Sequence, residues 1–597
     1  MLDSLADATR LIRIIAVMTK QERTGLHPPR QYNEVVANAF IERGLTPMYL
    51  HEQKNSGATV RRFRLYACLL VTVILVFATW RRYSNWPSIF DIALWDESIY
   101  MITGRSHTFN FSSYEGHPLY SFYYYLLSML VPDQINLFFI GGLTVQVITL
   151  AVVGIAAWML SKSTAIATLL FGLILCSRFL LSPVRNSYLP VALVMLGCSF
   201  AALESHLANR LALTMLVALI VSFIRPELVL GFYLAALALL VVLIGRTILN
   251  GYRVVANGRA QEGAQSIYRL TAYLFLTGLL CLTWSFPKLQ GSGHAMYAFE
   301  QWYAFYWVSE HNSLLNPWLN FKMIVQQVFP GATTPIQAIF SNPSEWMAFT
   351  LHNIRNAIPN MGSLLLVRDI RYSGAGGLPN VIIVVGLLVL VSISGWSMYK
   401  RARRIGLSST PRRVPLLESG LYAAAPFTVI VFIQPDPRYA LLLLAPLICC
   451  FVAIGQWHPW SKQTDTLIAV LAAAVIAVAV RPLPIVDQPT LKAIIALRTL
   501  NLPIQKMYEL DGGWCFYLNP PCTQVWDFDL PTPPNSLSDA IEKKRVDTIM
   551  VSEPLLNFLR GHHDQSLDFF NRNLDGTGWR RYDIGEELYL LHRETSP

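Results

Sequence analysis

Charge is scarce in this chain. Asp, Glu, Lys and Arg make up 14% of its 597 residues, where a soluble domain carries about a quarter. A lipid-facing surface demands that deficit, because each charge in hydrocarbon costs roughly 2.5–3.5 kcal/mol on insertion scales. The scarcity excludes an ordinary soluble globule. Zinc-type cysteine spacing is missing too. Cys68, Cys176, Cys198, Cys281, Cys449 and Cys450 lie in apolar runs, where a thiol behaves as a small hydrophobe. Only Cys515 and Cys522 lie in a polar segment, and they are a candidate disulfide if that segment faces an oxidising compartment. No Gly-rich phosphate loop precedes a helix of the tail, so no nucleotide site is expected. The first apolar run begins near residue 65, too far in for a cleaved signal peptide.

What is abundant is apolar: 53% of the residues are hydrophobic and the mean hydropathy is +0.40. A membrane crossing needs about 20 mostly apolar residues. Runs near 63–80, 135–160, 163–181, 187–204, 208–224, 227–246, 270–287, 380–399, 415–433, 438–456 and 464–481 meet or approach that length. The predicted fold class is therefore an α-helical polytopic membrane protein of about eleven transmembrane helices. Residues 1–62 form a polar N-terminal segment. Its stretch from Leu5 to Met18 is amphipathic and suits either the membrane surface or a short solvated helix.

The net charge of +10 sits in short loops. Arg61, Arg62 and Arg64 precede the first run. About eleven crossings put Arg246, Arg253, Arg259 and Arg269, and the cluster Lys400, Arg401, Arg403, Arg404, Arg412 and Arg413, on the same side, which is then cytoplasmic. Topology and anionic headgroups account for these residues, and a nucleic-acid partner is not expected. Counting Pro118–Val131 as a crossing would break the pattern, so it is read as a helix on the outer surface. Three segments then face outward: the loop 81–134, the loop 288–379 with one or two short surface helices, and the tail 482–597. The tail reads as a small α/β domain. Strands are expected at Gln505–Leu510, Thr523–Asp529, Val546–Val551 and Leu588–Leu591, with a helix at Leu537–Lys544, which suggests a partly parallel sheet.

The first outer loop holds the densest chemistry. Asp91, Asp96 and Glu97 follow the first helix among apolar neighbours (Ile92, Leu94, Trp95, Ile99 and Tyr100). Such a setting raises carboxyl pKa values, as a general base for a hydroxyl group requires. A solvated loop charge is the competing reading, strongest for Asp91. About twenty residues on, His117-Pro118-Leu119-Tyr120 opens an aromatic stretch suited to the headgroup boundary.

A first-loop Asp-Glu followed by a His-Pro-Leu element resembles the GT-C membrane glycosyltransferases, in particular the protein O-mannosyltransferases and the lipid A aminoarabinose transferases. The resemblance covers this loop strongly and the helical layout loosely, together with short interfacial helices and an outward-facing C-terminal domain. It implies that Asp96 is the catalytic carboxylate, with Glu97 and Asp91 as further candidates, and that His117 approaches the carrier phosphate. It also makes Arg438, in Asp436-Pro437-Arg438-Tyr439, a phosphate ligand through its planar fork of donors. Arg185 is a further phosphate candidate, and Arg225 and Glu227 are read as a local pair. Tyr439 and, from the second outer loop, Trp302, Tyr303 and Glu300 are candidate lining of a substrate cleft. The chain departs from the family where Pro183–Tyr188 carries no acid, which puts a two-carboxylate arrangement and a metal held by it in doubt. The Trp-Trp-Asp-Tyr-Gly signature of oligosaccharyltransferases is absent.

The expected activity is transfer of a single sugar, with inversion, from a polyprenyl-phosphate donor to a hydroxyl on a lipid, glycan or protein acceptor. No cofactor is expected to be required, and a divalent cation is left open. The expected location is the bacterial inner or plasma membrane, with the site on the periplasmic side. The alternatives are a lipid or polysaccharide transporter, for which paired repeats with broken helices are lacking, and an O-antigen ligase or polymerase, which relies on loop arginines rather than a first-loop Asp-Glu.

Overall fold

A computed structural model describes residues 46–94, 96–106, 117–177, 179–181, 185–253, 263–284, 292–313, 315, 317–365, 414–433, 437–454, 461–510, 513–525, 537–561, 577–585 and 588–594. The predicted crossing at 380–399, the basic cluster 400–413 and the amphipathic stretch 5–18 lie outside them. The chain divides into two units, Met1–Leu70 and Val71–Pro597. The first contributes the start of α1 (Thr46–Arg82), and all that follows concerns the second.

The described chain is mostly helical. After α1 come α2 (Asp96–Arg105), α3 (Pro118–Ser128), α4 (Gln134–Ser161), α5 (Thr164–Cys176), α6 (Tyr188–Leu203), α7 (Leu207–Ser222), α8 (Val229–Arg253) and α9 (Gly263–Thr283). Among the described residues four helices are long and apolar enough to cross a membrane: Arg62–Arg82, Gln134–Ser161, Pro226–Gly245 and Lys462–Ala479. Six shorter apolar helices fall on six more of the predicted runs. The 13 residues of α5 reach only about 20 Å, against a hydrocarbon core of about 30 Å. The 11 residues of α3 are shorter still.

Local sequence explains where these helices start. Asp133, Ser163 and Ser461 each cap a helix by accepting a backbone N–H with the side chain, and Pro118 occupies the first turn of α3. Helix faces turned away from the bundle carry bare apolar side chains such as Val241, Phe275, Leu282 and Val478, the surface that a bilayer rather than water would solvate.

The 288–379 segment holds more structure than the one or two helices expected. It forms α10 (Ser292–Glu310), α11 (Pro317–Val328), α12 (Pro335–Ser341) and α13 (Pro343–Leu365). Proline is pre-organised for a helix's first turn, and three of the four open on one. Phe299, Tyr303, Phe329 and Phe349 make an apolar cluster inside this segment. Then follow α14 (Leu416–Phe432), α15 (Pro437–Ile454) and α16 (Lys462–Ala479).

The tail contains α17 (Pro489–Thr499), β1 (Lys506–Tyr508), β2 (Thr523–Val525), α18 (Leu537–Lys544), β3 (Thr548–Val551), α19 (Glu553–Gly561), β4 (Trp579–Gly585) and β5 (Leu588–Arg593). The sheet runs β2-β1-β3-β5-β4. Strand β1 is parallel to β2 and β3, while β5 is antiparallel to β3 and β4. The expected helix at 537–544 and the partly parallel sheet are present. Helices α17 and α19 and strand β4 are additions. Residues 526–529 of the expected second strand lie outside the described residues.

Hydrogen bonds sort the helix ends into two polar layers. In one, Leu483 N–H donates to Arg82 O and Asn85 to Leu483 O. Arg498 of α17 reaches Asp133 and Gln134 at the start of α4. At the other end of the bundle Asp465, in the first turn of α16, accepts from the first residues of α5. There too Arg210 of α7 forks onto Glu418 of α14, and Glu204, just past α6, takes Arg269 and Tyr273 of α9. Helices that alternate in direction leave one layer holding the 82–133 loop and the α/β domain together.

Candidate functional site

In that layer, short segments far apart in sequence meet. Asp96 and Glu97 open α2. The Glu97 side chain is fully buried. Its Oε1 accepts the Tyr120 hydroxyl at 2.6 Å and also that of Tyr124, both on α3, and its Oε2 accepts the Arg185 backbone N–H at 3.3 Å. Burial pushes the Glu97 carboxyl above its ordinary pKa, with the Arg185 guanidinium and then the two tyrosine hydroxyls pulling it back. The same burial and the facing carboxylate hold both phenols well above the usual tyrosine range.

Arg185 is sealed from solvent. It donates from NH1 to Phe138 O at 2.5 Å, and its guanidinium lies 4.1 Å from the Phe138 ring centre, with Phe90 and Trp86 beyond. Gly142 makes room, since any Cβ there would strike the guanidinium. Next to it, Asn186 donates to the Tyr100 hydroxyl at 2.9 Å. The Tyr100 ring stands edge-on to Tyr120 and His117, at 5.3 and 4.8 Å between centroids.

His117 takes a left-handed conformation, φ 53, immediately before α3. Its Nδ1 lies 2.5 Å from Ile224 O. A carbonyl only accepts, so Nδ1 carries a proton and Nε2 is the nitrogen whose protonation sets the ring charge. Leu119 N–H donates to Phe223 O at 3.1 Å, which fastens the start of α3 to the end of α7. Two residues on, Arg225 lies 3.6 Å from Glu227 and 5.0 Å from the ring centre of Tyr439, whose hydroxyl donates to Glu227 at 2.9 Å. Tyr439 thus joins the first turn of α15 to this turn, next to Arg438.

The expected residues fall into three groups. Glu97, His117, Arg185 and Tyr439 belong to this connected cluster, and Asp96 and Arg438 adjoin it in sequence within α2 and α15; the side chains of those two lie outside the described part. Asp91 stands elsewhere: its carboxylate accepts Thr490 and Leu491 N–H at 2.9 and 3.0 Å and so caps α17. Trp302, Tyr303 and Glu300 sit in the α10–α13 segment. Tyr303 is buried and donates to Glu345 at 2.9 Å, Trp302 packs on the same apolar cluster, and Glu300 is held above its ordinary pKa by burial against the opposing pull of Lys322.

Residues that sequence reasoning passed over complete the cluster. Tyr120 and Tyr124 look like members of an interfacial belt, and their spacing of four on a helix is the only sign that they share a face. Tyr517, from the tail, meets Ser98 in the first turn of α2 at 2.9 Å. Cys515 and Cys522 are joined in a disulfide. Among the described residues no three His, Cys, Asp or Glu side chains gather as a metal site would need.

No protein-family model matches this chain, and no curated protein matches it.

Proposed function

We propose that the chain is a membrane glycosyltransferase of the GT-C type, which moves one sugar from a polyprenyl-phosphate donor to an acceptor hydroxyl at the outer face of the membrane. The reading counts about eleven crossings, with the shorter helices crossing where the bilayer thins and flanking residues snorkel, and it puts the 82–133 loop and the α/β domain outside. The Cys515–Cys522 disulfide supports that side, because disulfides persist in oxidising compartments.

One observation carries the reading: the fully buried Glu97, gripped by two tyrosines and Arg185, fixes the helix turn that begins with Asp96, in the layer that also holds His117 and the Arg225–Glu227–Tyr439 group. That is a rigid mount for a base beside cationic groups at a membrane edge. Asp96 takes the acceptor's proton as the acceptor oxygen attacks the anomeric carbon. The carbon–oxygen bond to the carrier breaks, and the polyprenyl phosphate leaves with the electron pair, held by His117 and Arg438. Direct displacement inverts the anomeric centre. Arg185, closed off from solvent, acts in this scheme on Glu97 rather than on phosphate.

The test uses full-length protein in lipid nanodiscs with radiolabelled polyprenyl-phosphate monosaccharides. Transfer by the wild type and a loss of about 10²–10⁴-fold in Asp96→Asn is the expected outcome. Wild-type turnover by Asp96→Asn removes the base, and no transfer from any such donor removes the activity.

A further inference from the structure

The tail does more than pack beside the cluster, and the contact it makes is specific. We propose that Tyr517 is a positioning residue for the turn carrying Asp96 and Glu97, delivered there by the disulfide-closed segment of the α/β domain; this rests on the glycosyltransferase reading. Ser98 lies in the first turn of α2, directly after the two acids. Its hydroxyl has one proton, which goes to Ala93 O at 3.0 Å. The 2.9 Å bond between Ser98 and Tyr517 is therefore donated by the Tyr517 phenol. Both side chains are fully buried, so an unaligned hydroxyl in this place would cost stability, and a ring that merely filled space would need none.

The segment that brings Tyr517 is held on every side. Glu509 accepts the N–H groups of Gly513 and Trp514, each at 2.9 Å. Gly513, at φ +104, lies so close to the Leu94 carbonyl that a Cβ would collide with it. The short turn Cys515–Tyr517 is closed by the disulfide and by Cys522 N–H donating to Cys515 O at 3.3 Å. Arg498 donates from Nε to Tyr517 O at 2.5 Å while its other nitrogens grip Asp133 and Gln134. Two stops on the catalytic loop result, the Leu94 carbonyl against Gly513 and the Ser98 hydroxyl against Tyr517, one on either side of Asp96. Such stops matter because a reacting group displaced by about 1 Å can lose about 100-fold in rate.

Tyr517→Phe, Ser98→Ala and the double variant, in the full chain, test this. Each single change should lower kcat about tenfold with donor KM within about twofold, and the double variant should match the singles rather than multiply them. Melting temperature should move by less than about 3 °C, while deuterium exchange across 96–105 speeds up in all three. A replacement that merely loosened the fold would lower the melting temperature and leave the kcat-to-KM split untouched. Wild-type kcat in Tyr517→Phe, multiplying losses in the double variant, or unchanged exchange at 96–105 would overturn the proposal. If the wild-type protein transfers no sugar, the glycosyltransferase reading fails, and the exchange measurement still decides whether Tyr517 orders the α2 turn. Cys515→Ser with Cys522→Ser should speed the same exchange; Tyr517→Phe keeps the disulfide and decides the matter if that variant does not fold.

Discussion

The two polar layers at opposite ends of the helical bundle are built differently. At one end, the described acids act as two-element fasteners: Asp465 caps a neighbouring helix, Glu204 takes a single arginine and a tyrosine, and Glu418 takes a single arginine. At the other, Glu97 is shared by α2, α3 and the 185 segment, and the tail reaches the same turn through Ser98. Holding two helices together needs one cap or one ion pair. Burying a carboxylate among tyrosines beside a buried arginine costs desolvation on both partners, and only good geometry recovers it. Glu418 is as fully buried at the far end, but against one arginine; only at the Glu97 end do several elements and the tail converge on one turn, the arrangement that rigid placement of a side chain needs.

Substitutions at both ends sharpen that contrast. The largest expected effect is on turnover, the loss in Asp96→Asn already described. On stability, Arg185→Met keeps the backbone bond to Glu97 but removes the guanidinium's opposing charge and strands the Phe138 carbonyl; it should cost about 1–3 kcal/mol, read from thermal unfolding in nanodiscs, and a cost below about 1 kcal/mol would make the two ends alike. Asp465→Ala, at the fastener end, removes a helix cap and should cost about 1 kcal/mol in the same measurement, with transfer unaffected. Arg269→Ala should cost less still, about 0–1 kcal/mol, because that side chain is half exposed and its pair is screened.

Acidity separates the ends as well. Burial lifts Glu97 above its ordinary pKa of 4.5, so the folded protein holds that proton more tightly than the unfolded chain does. Its contribution to stability is present below that ordinary value and is lost as pH rises through the raised one. Glu97→Gln cannot ionise. Melting temperatures of wild type and variant measured from about pH 4 to about pH 8 should therefore diverge in the variant's favour as pH rises. Parallel curves would mean that Glu97 is not held above its ordinary value.

The shape of the tail was largely legible. Leu537–Lys544 is a helix with those bounds, and the strands at 506–508, 548–551 and 588–593 lie within or over the expected runs. Strand β4 escaped because WRRYDIG sits at a sheet edge with most side chains exposed, so its alternation carries little apolar signal. The helices of 317–365 could have been read from Pro317, Pro335 and Pro343. In the site, the polar outliers Glu97, His117 and Arg185 stood out against an apolar background, whereas Tyr120, Tyr124 and Tyr517 did not, because aromatic residues are ordinary at a membrane edge.

By itself the sequence determined what each segment is: apolar runs of helical length, capped starts, an alternating tail, and a few charges that hydrocarbon does not tolerate. Those are local properties, set by residue type and period. Which charges meet was decided by the tertiary structure alone. Glu97 and Arg185 are 88 positions apart, Ser98 and Tyr517 are 419 apart, and no period links them. They meet because helices of opposite direction return the chain to the same layer, and because close packing at Gly142 and Gly513 leaves room there for one arrangement of side chains.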